Sequence, residues 1–129
     1  MPRPFRAKEI EAFFSRLKAR DPEPRSELQY KNPYTLLVAV VLSAQATDAG
    51  VNKATRALFA IADSPEKMAA LGEDKIRDYI KTIGLFRNKA KNVYLLSREL
   101  IEKYNSQVPR SREILETLPG VGQIGRAHV

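Results

Sequence analysis

The 129-residue sequence contains no cysteine. That excludes a disulfide framework, a thiolate metal site and a cysteine nucleophile from this chain. Histidine is almost as scarce, with His128 the single one. No apolar run approaches the roughly 20 residues of a membrane span, and the N-terminus lacks the apolar block of a signal peptide. The reading is therefore a cytoplasmic protein with no membrane partner. Acidic residues are in deficit, 15 against 22 lysines and arginines, which leaves a net charge of +7 and a pI near 9.8. Such an excess points to an anionic partner, of which nucleic acid is the commonest. A generally basic, soluble surface is the alternative. The length suits one domain with a real core.

The pattern is helical throughout. Ile10, Phe13, Phe14 and Leu17 recur at helical spacing between Phe5 and Arg20, giving an amphipathic helix that Asp21 and Pro22 end. An extended connection follows, up to Lys31. Asn32 and Pro33 make a helix start. The stretch from Leu36 to Leu42 is apolar on every side and rich in β-branched residues, so it could be a buried strand. The cap, and the absence of any partner strand, favour a central helix surrounded by the others. Asp48 is the expected cap of a helix burying Val51, Ala54, Leu58 and Phe59. Ser64 and Pro65 start a short helix through Met68 and Leu71. Glu73 and Asp74 open another, with Ile76, Tyr79, Ile80 and Ile83 on one side and Gly84 closing it. A longer helix runs from about Arg87 to Tyr104, burying Ala90, Val93, Leu100 and Ile101. Ser111 caps a last one, with Ile114, Leu115 and Leu118 as its inner face. Six or seven helices with short connections make an all-α domain.

That last helix leads into Leu118-Pro119-Gly120-Val121-Gly122. Proline stops the helix, and two glycines around one small apolar residue make a tight turn that can aim several backbone N–H groups at one point. With a second helix behind it, the turn would suit a phosphate. It could also be an ordinary helix C-cap between packed helices.

Four stretches together, Leu42 to Asp48 (LSAQATD), Val51 to Thr55 (VNKAT), Ile80 to Leu85 (IKTIGL) and Leu118 to Gly122 (LPGVG), resemble bacterial endonuclease III over roughly residues 5 to 123. That family belongs to the helix-hairpin-helix DNA glycosylases, bifunctional enzymes that excise oxidised pyrimidines and cleave the strand at the resulting abasic site. The resemblance implies an incomplete version of that fold, mostly its six-helix domain. Residues 1–22 would form an N-terminal helix that packs on the family's C-terminal region, 23–123 the six-helix domain, and 124–129 a non-native tail. It also implies double-stranded DNA with a damaged base or abasic site as partner, and a nucleoid-associated monomer.

A glycosylase turns its target nucleotide out of the duplex, and the gap has to be filled to offset lost stacking. The family fills it with a glutamine and a leucine on loops between helices. Gln45 and Leu85 fall on those positions, the first to hydrogen-bond the estranged base, the second as an apolar wedge. Leu118, Pro119, Gly120, Val121 and Gly122 would form the hairpin on the DNA backbone. The plainer alternatives are a solvent-facing glutamine and a leucine closing the core. Arg87, Lys89 and Lys91 could track phosphates, or form one solvated helix face.

The pattern breaks after the hairpin. The family continues with a basic residue and the catalytic lysine, but here Gln123 and Ile124 stand at those positions. Isoleucine has no amine to attack the sugar or form a Schiff base. The family's catalytic aspartate and the four cysteines of its 4Fe-4S cluster would lie further on, so this chain is expected to carry no cofactor and no lyase activity. The stretch from Ile124 to Val129 reads as translated adapter joined to an incomplete gene, and His128 within it is not read as a ligand or base. Without the C-terminal region, Phe13, Phe14 and part of the central helix are expected to become exposed, leaving a loosely packed or aggregating chain.

Overall fold

The computed structural model describes residues 28–44, 46–109 and 111–121. Within them are six helices: α1 (Pro33–Ser43), α2 (Asp48–Ile61), α3 (Pro65–Leu71), α4 (Glu73–Ile80), α5 (Phe86–Lys103) and α6 (Arg112–Thr117). No strand occurs among the described residues, so the architecture is all-α. The expected helix between Phe5 and Arg20 lies outside the described residues.

Helix α1 is the centre of the domain, and contrary to the expectation that part of it would be exposed, every residue from Tyr34 to Ser43 is buried, because the other helices pack around it. Its β-branched residues would tolerate a strand, but its start is fixed as a helix by reciprocal capping. The Asn32 side chain accepts the Thr35 N–H at 2.8 Å, and the Thr35 hydroxyl oxygen accepts the Asn32 N–H at 3.0 Å. Pro33 sits in the first turn, where no N–H is needed. The other helices each turn one stripe inward: Val51, Ala54, Leu58 and Phe59 from α2, Met68 from α3, Ile76 and Ile80 from α4, Ala90, Val93, Leu96 and Leu100 from α5, and Leu115 from α6. Ile101 and Ile114, expected inside, are only partly buried.

Two boundaries differ from expectation. Thr47, not Asp48, caps α2, its hydroxyl accepting the Gly50 N–H at 3.1 Å. Asp48 becomes the first helical residue, where its charge still meets the positive end of the helix. Helix α4 ends at Ile80 instead of running to Gly84. The Ile83 N–H turns back to the Ile80 carbonyl at 2.9 Å, which keeps Ile83 in the core and leaves Gly84 exposed.

The connection before α1 is stapled to α2. Asn52, buried, accepts the Gln29 N–H at 2.7 Å, while the Lys31 ammonium donates to the Phe59 carbonyl at 3.0 Å and Asn32 to that of Asp63 at 3.1 Å. Leu28 is drawn into the core by the same contacts.

Helices α1 and α5 run antiparallel. The Tyr34 and Ser97 hydroxyls meet at 2.5 Å, deep in the protein. Further along, Gly120 is wedged between Val41 of α1 and Asn92 of α5. Going forward along α1 therefore means going back along α5. The end of α1 and the start of α5, which follows Leu85, are therefore at the same end of the bundle.

Candidate nucleic-acid interface

Leu85 is the residue from which α5 begins. Its backbone is left-handed, with φ 60° and ψ 30°, and its carbonyl accepts the Lys89 N–H at 3.0 Å. That conformation costs a non-glycine residue about 1–2 kcal/mol. Gly84, which could adopt it freely, stands next door with an ordinary backbone. The Leu85 side chain is nonetheless 58% exposed, so burial does not compensate the strain. It does not close the core; Ile83 does. An exposed apolar side chain held in a strained conformation is the mark of a position shaped by something outside the fold.

The electrostatics of this helix start are also unusual. No side chain caps α5 and no acidic residue lies in its first turn. The N–H groups of Phe86, Arg87 and Asn88 thus carry the positive end of an 18-residue helix dipole with nothing from the helix to satisfy it. To this the sequence adds cations. Arg87 and Lys91 are exposed, and neither pairs with a carboxylate among the described residues. Arg87 lies over the Phe86 ring at 5.5 Å. They share one helix face, at spacing i, i+4.

Lys89 does not share it. Only 5% of it is exposed, and its ammonium has no hydrogen-bond partner. Burial pulls its proton affinity below the usual lysine range. Of the three basic residues grouped by the sequence, two are a solvated face and one is part of the interior. The helical period of 3.6 separates them, because a step of two residues turns about 200°.

The hairpin is built from inside. Leu118 and Val121 are buried, and the Val121 N–H bonds the Leu118 carbonyl at 3.1 Å. Pro119 and Gly120 are partly exposed. Gly120 has φ 85°, and a Cβ there would stand 2.9 Å from Val41 Cγ1 and 3.1 Å from Asn92 Cβ. Only glycine fits, both for conformation and for space. Leu118 and Val121 therefore anchor the turn, leaving Pro119 and Gly120 partly exposed between them. The close approach is to side chains of α1 and α5, a contact to which the motif itself gives no clue. Leu85, Lys89 and Asn92 follow one another along a single side of α5, at i, i+4 and i+7, over about 10 Å of helix. The hairpin, touching Asn92, is on that side too. The structure thus relates Leu85 to the glycine turn; Gln45, Gly122 and Ile124 lie outside the described residues.

Residues 38–127 match the model of the HhH-GPD superfamily of base excision DNA repair proteins. The chain belongs to the endonuclease III family of that superfamily. It is 53% identical over 118 residues to endonuclease III of Haemophilus influenzae, a match that takes in 92% of this chain and 56% of that protein. Against endonuclease III of Escherichia coli the identity is 48%, with the same coverage of both. The fold superposes with a TM-score of 0.74 on endonuclease III trapped as a covalent intermediate with DNA around an estranged adenine. There the identity is 42%, covering 95% of this chain and 58% of the other. This chain therefore spans little more than half the length of the relatives it matches.

The endonuclease III family typically binds a 4Fe-4S cluster. Such a cluster needs thiolate donors, and this sequence has no cysteine, so the residues present do not fit one. No helix among the described residues is long and apolar enough to cross a membrane.

Proposed function

We propose that this protein serves base-excision DNA repair in the manner of endonuclease III: it grips double-stranded DNA at a damaged pyrimidine or an abasic site while the target nucleotide is turned out of the helix. The observation that carries the reading is Leu85, strained and exposed at an uncapped helix start among unpaired cations. An apolar wedge of this kind enters the base stack beside the extruded nucleotide, and the surrounding positive charge holds the flanking backbone. Gln45 would hydrogen-bond the base left without its partner, in keeping with the estranged adenine of the similar complex. The main chain of Leu118, Pro119, Gly120, Val121 and Gly122 would hold a backbone phosphate. Residues 23–123 would be the six-helix domain that does this, and residues 1–22 would form a helix that packs on the family's C-terminal region. A monomer associated with the bacterial nucleoid in the cytoplasm is the setting we infer.

In the intact enzyme a lysine would attack the sugar's anomeric carbon, expel the base and leave a Schiff base through which β-elimination breaks the strand. At that position this chain has Ile124, whose side chain has neither amine nor lone pair. The chain as written is therefore proposed to bind DNA without cleaving it, as a non-catalytic basic module, and residues 124–129 to be a non-native tail. Borohydride treatment of the chain with abasic duplex DNA tests this. No covalent adduct is expected, and the substitution Ile124→Lys is the positive control that can restore one. An adduct formed by the unsubstituted chain would overturn the claim of inactivity. Duplex affinity independent of salt would overturn the DNA-binding reading itself.

A further inference from the structure

We infer that the start of α5 is a second phosphate site, separate from the hairpin, in which Lys89 supplies a buried counter-charge to one phosphate of the bound DNA strand. The inference rests on the DNA-binding reading above and deepens it. Two independent observations meet here. One is the uncapped N-terminus of an 18-residue helix, with no acidic residue in its first turn and Leu85 exposed at its cap. The other is a lysine that is 95% out of contact with solvent and whose ammonium bonds to nothing.

The second observation is the telling one. A buried ammonium without a hydrogen bond or counter-ion is among the costliest arrangements a folded chain can carry. If Lys89 served only packing, methionine would fill its volume without that cost. Side chains on a helix lean toward its N-terminus, so the stem of Lys89, in the second turn, runs back toward the free N–H groups of Phe86, Arg87 and Asn88. Those groups and Lys89 lie within the first turn and the start of the second turn of one helix. Lys89 also stands between Leu85 and Asn92, that is, between the wedge and the residue on which the hairpin rests. Lysine is a flexible point charge with four rotatable stem bonds. A rotation of that stem, with no displacement of the helix, brings the ammonium out to a phosphate seated on the N–H groups. Burial lowers its proton affinity in the free protein, and a phosphate beside it would raise that affinity again. The ligand is a phosphodiester of the strand flanking the wedge. Arg87 and Lys91, on the opposite face of α5, would serve other phosphates.

The test is the salt dependence of binding of the full chain to a fluorescent 20-base-pair duplex, measured for the wild type, Lys89→Met and Lys89→Arg, with melting of each free protein alongside. Lys89→Met is expected to weaken binding about tenfold at low salt. It should also make the slope of log affinity against log salt shallower by about 0.9, the loss of one phosphate neutralised. Lys89→Arg should keep the wild-type slope. The free Lys89→Met protein should melt about 5 °C higher, since an unpaired buried charge has gone. A purely structural lysine would leave the slope alone. An unchanged slope in Lys89→Met, with the wild type binding in the usual salt-dependent way, overturns this inference and leaves the proposed function standing. A Lys89→Met chain that fails to fold also overturns it, because the ammonium would then have a structural partner. A wild type with no salt-dependent affinity overturns both.

Discussion

At its C-terminal end α5 satisfies its own charges. Arg98 pairs with Glu102 at 3.1 Å, and Lys103 with Glu99 at 3.2 Å. The Tyr104 and Ser106 N–H groups both return to the Leu100 carbonyl, and the Ser106 hydroxyl donates to the Glu66 carboxylate on α3. At its N-terminal end the same helix does none of this. It lacks a side-chain cap, lacks an acid in the first turn, and holds three cations that have no carboxylate partner among the described residues, one of them buried. Helix stability alone would favour the reverse, with acids at the start. The difference teaches where to look for function: one end closes the fold on itself, and the other is left open, where we propose that a phosphate binds.

The contrast can be broken or sharpened by substitution. The largest effect should come from Gly120→Ala, which unseats the hairpin from Val41 and Asn92. Positive φ and a Cβ clash together should cost about 3 kcal/mol in chemical denaturation. Gly72→Ala isolates the backbone contribution, since its φ of 90° and ψ of 156° lie in a region essentially confined to glycine while no neighbour stands within 4 Å of the new Cβ, and it should cost about 2 kcal/mol. Next is Ser97→Ala, which leaves the Tyr34 hydroxyl buried without its acceptor while removing a hydroxyl that also donates to the Val93 carbonyl. A loss of about 2 kcal/mol is expected, against about 1 kcal/mol for Tyr34→Phe, which leaves Ser97 its carbonyl. Burial also raises the Tyr34 pKa well above its usual range. The folded state then keeps a proton that the unfolded state releases above about pH 10, so stability falls as pH rises past that point. Tyr34→Phe should flatten the fall in an alkaline melting series. Leu85→Gly should act in the opposite direction, stabilising the protein by about 1 kcal/mol through relief of the left-handed leucine while reducing its preference for abasic over intact duplex. Smallest is Arg98→Ala, within about 0.5 kcal/mol, because the pair is exposed and screened.

Much of this was legible in the sequence, and the reasons differ by region. The Asn32-Pro33 start decided helix over strand for α1 because capping is a local interaction encoded by adjacent residues. The inward stripes of α2 and α5 followed from a period that packing preserves. What could not be read was tertiary. Nothing local tells that Leu85, and not the adjacent glycine, takes the left-handed turn, since propensity favours the opposite. The seat of Gly120 depends on Val41 and Asn92, residues far away in the chain. Grouping Lys89 with Arg87 and Lys91 overlooked that a step of two residues turns it to the other side of the helix, and its lack of a partner emerges only once the core is assembled. The turn after α4 was misjudged because Gly84 looked like a terminator, while the chain closes earlier to keep Ile83 inside.

The claim that the two ends of α5 have different tasks is tested most directly by duplex binding as a function of salt, with the cations of each end removed in turn. Arg87→Ala with Lys91→Ala should make the slope of log affinity against log salt shallower by about 1.8, two phosphates released, with little change in melting temperature. Arg98→Ala with Lys103→Ala should leave that slope as it is in the wild type. Equal changes from the two pairs, or a larger one from the C-terminal pair, would contradict the account.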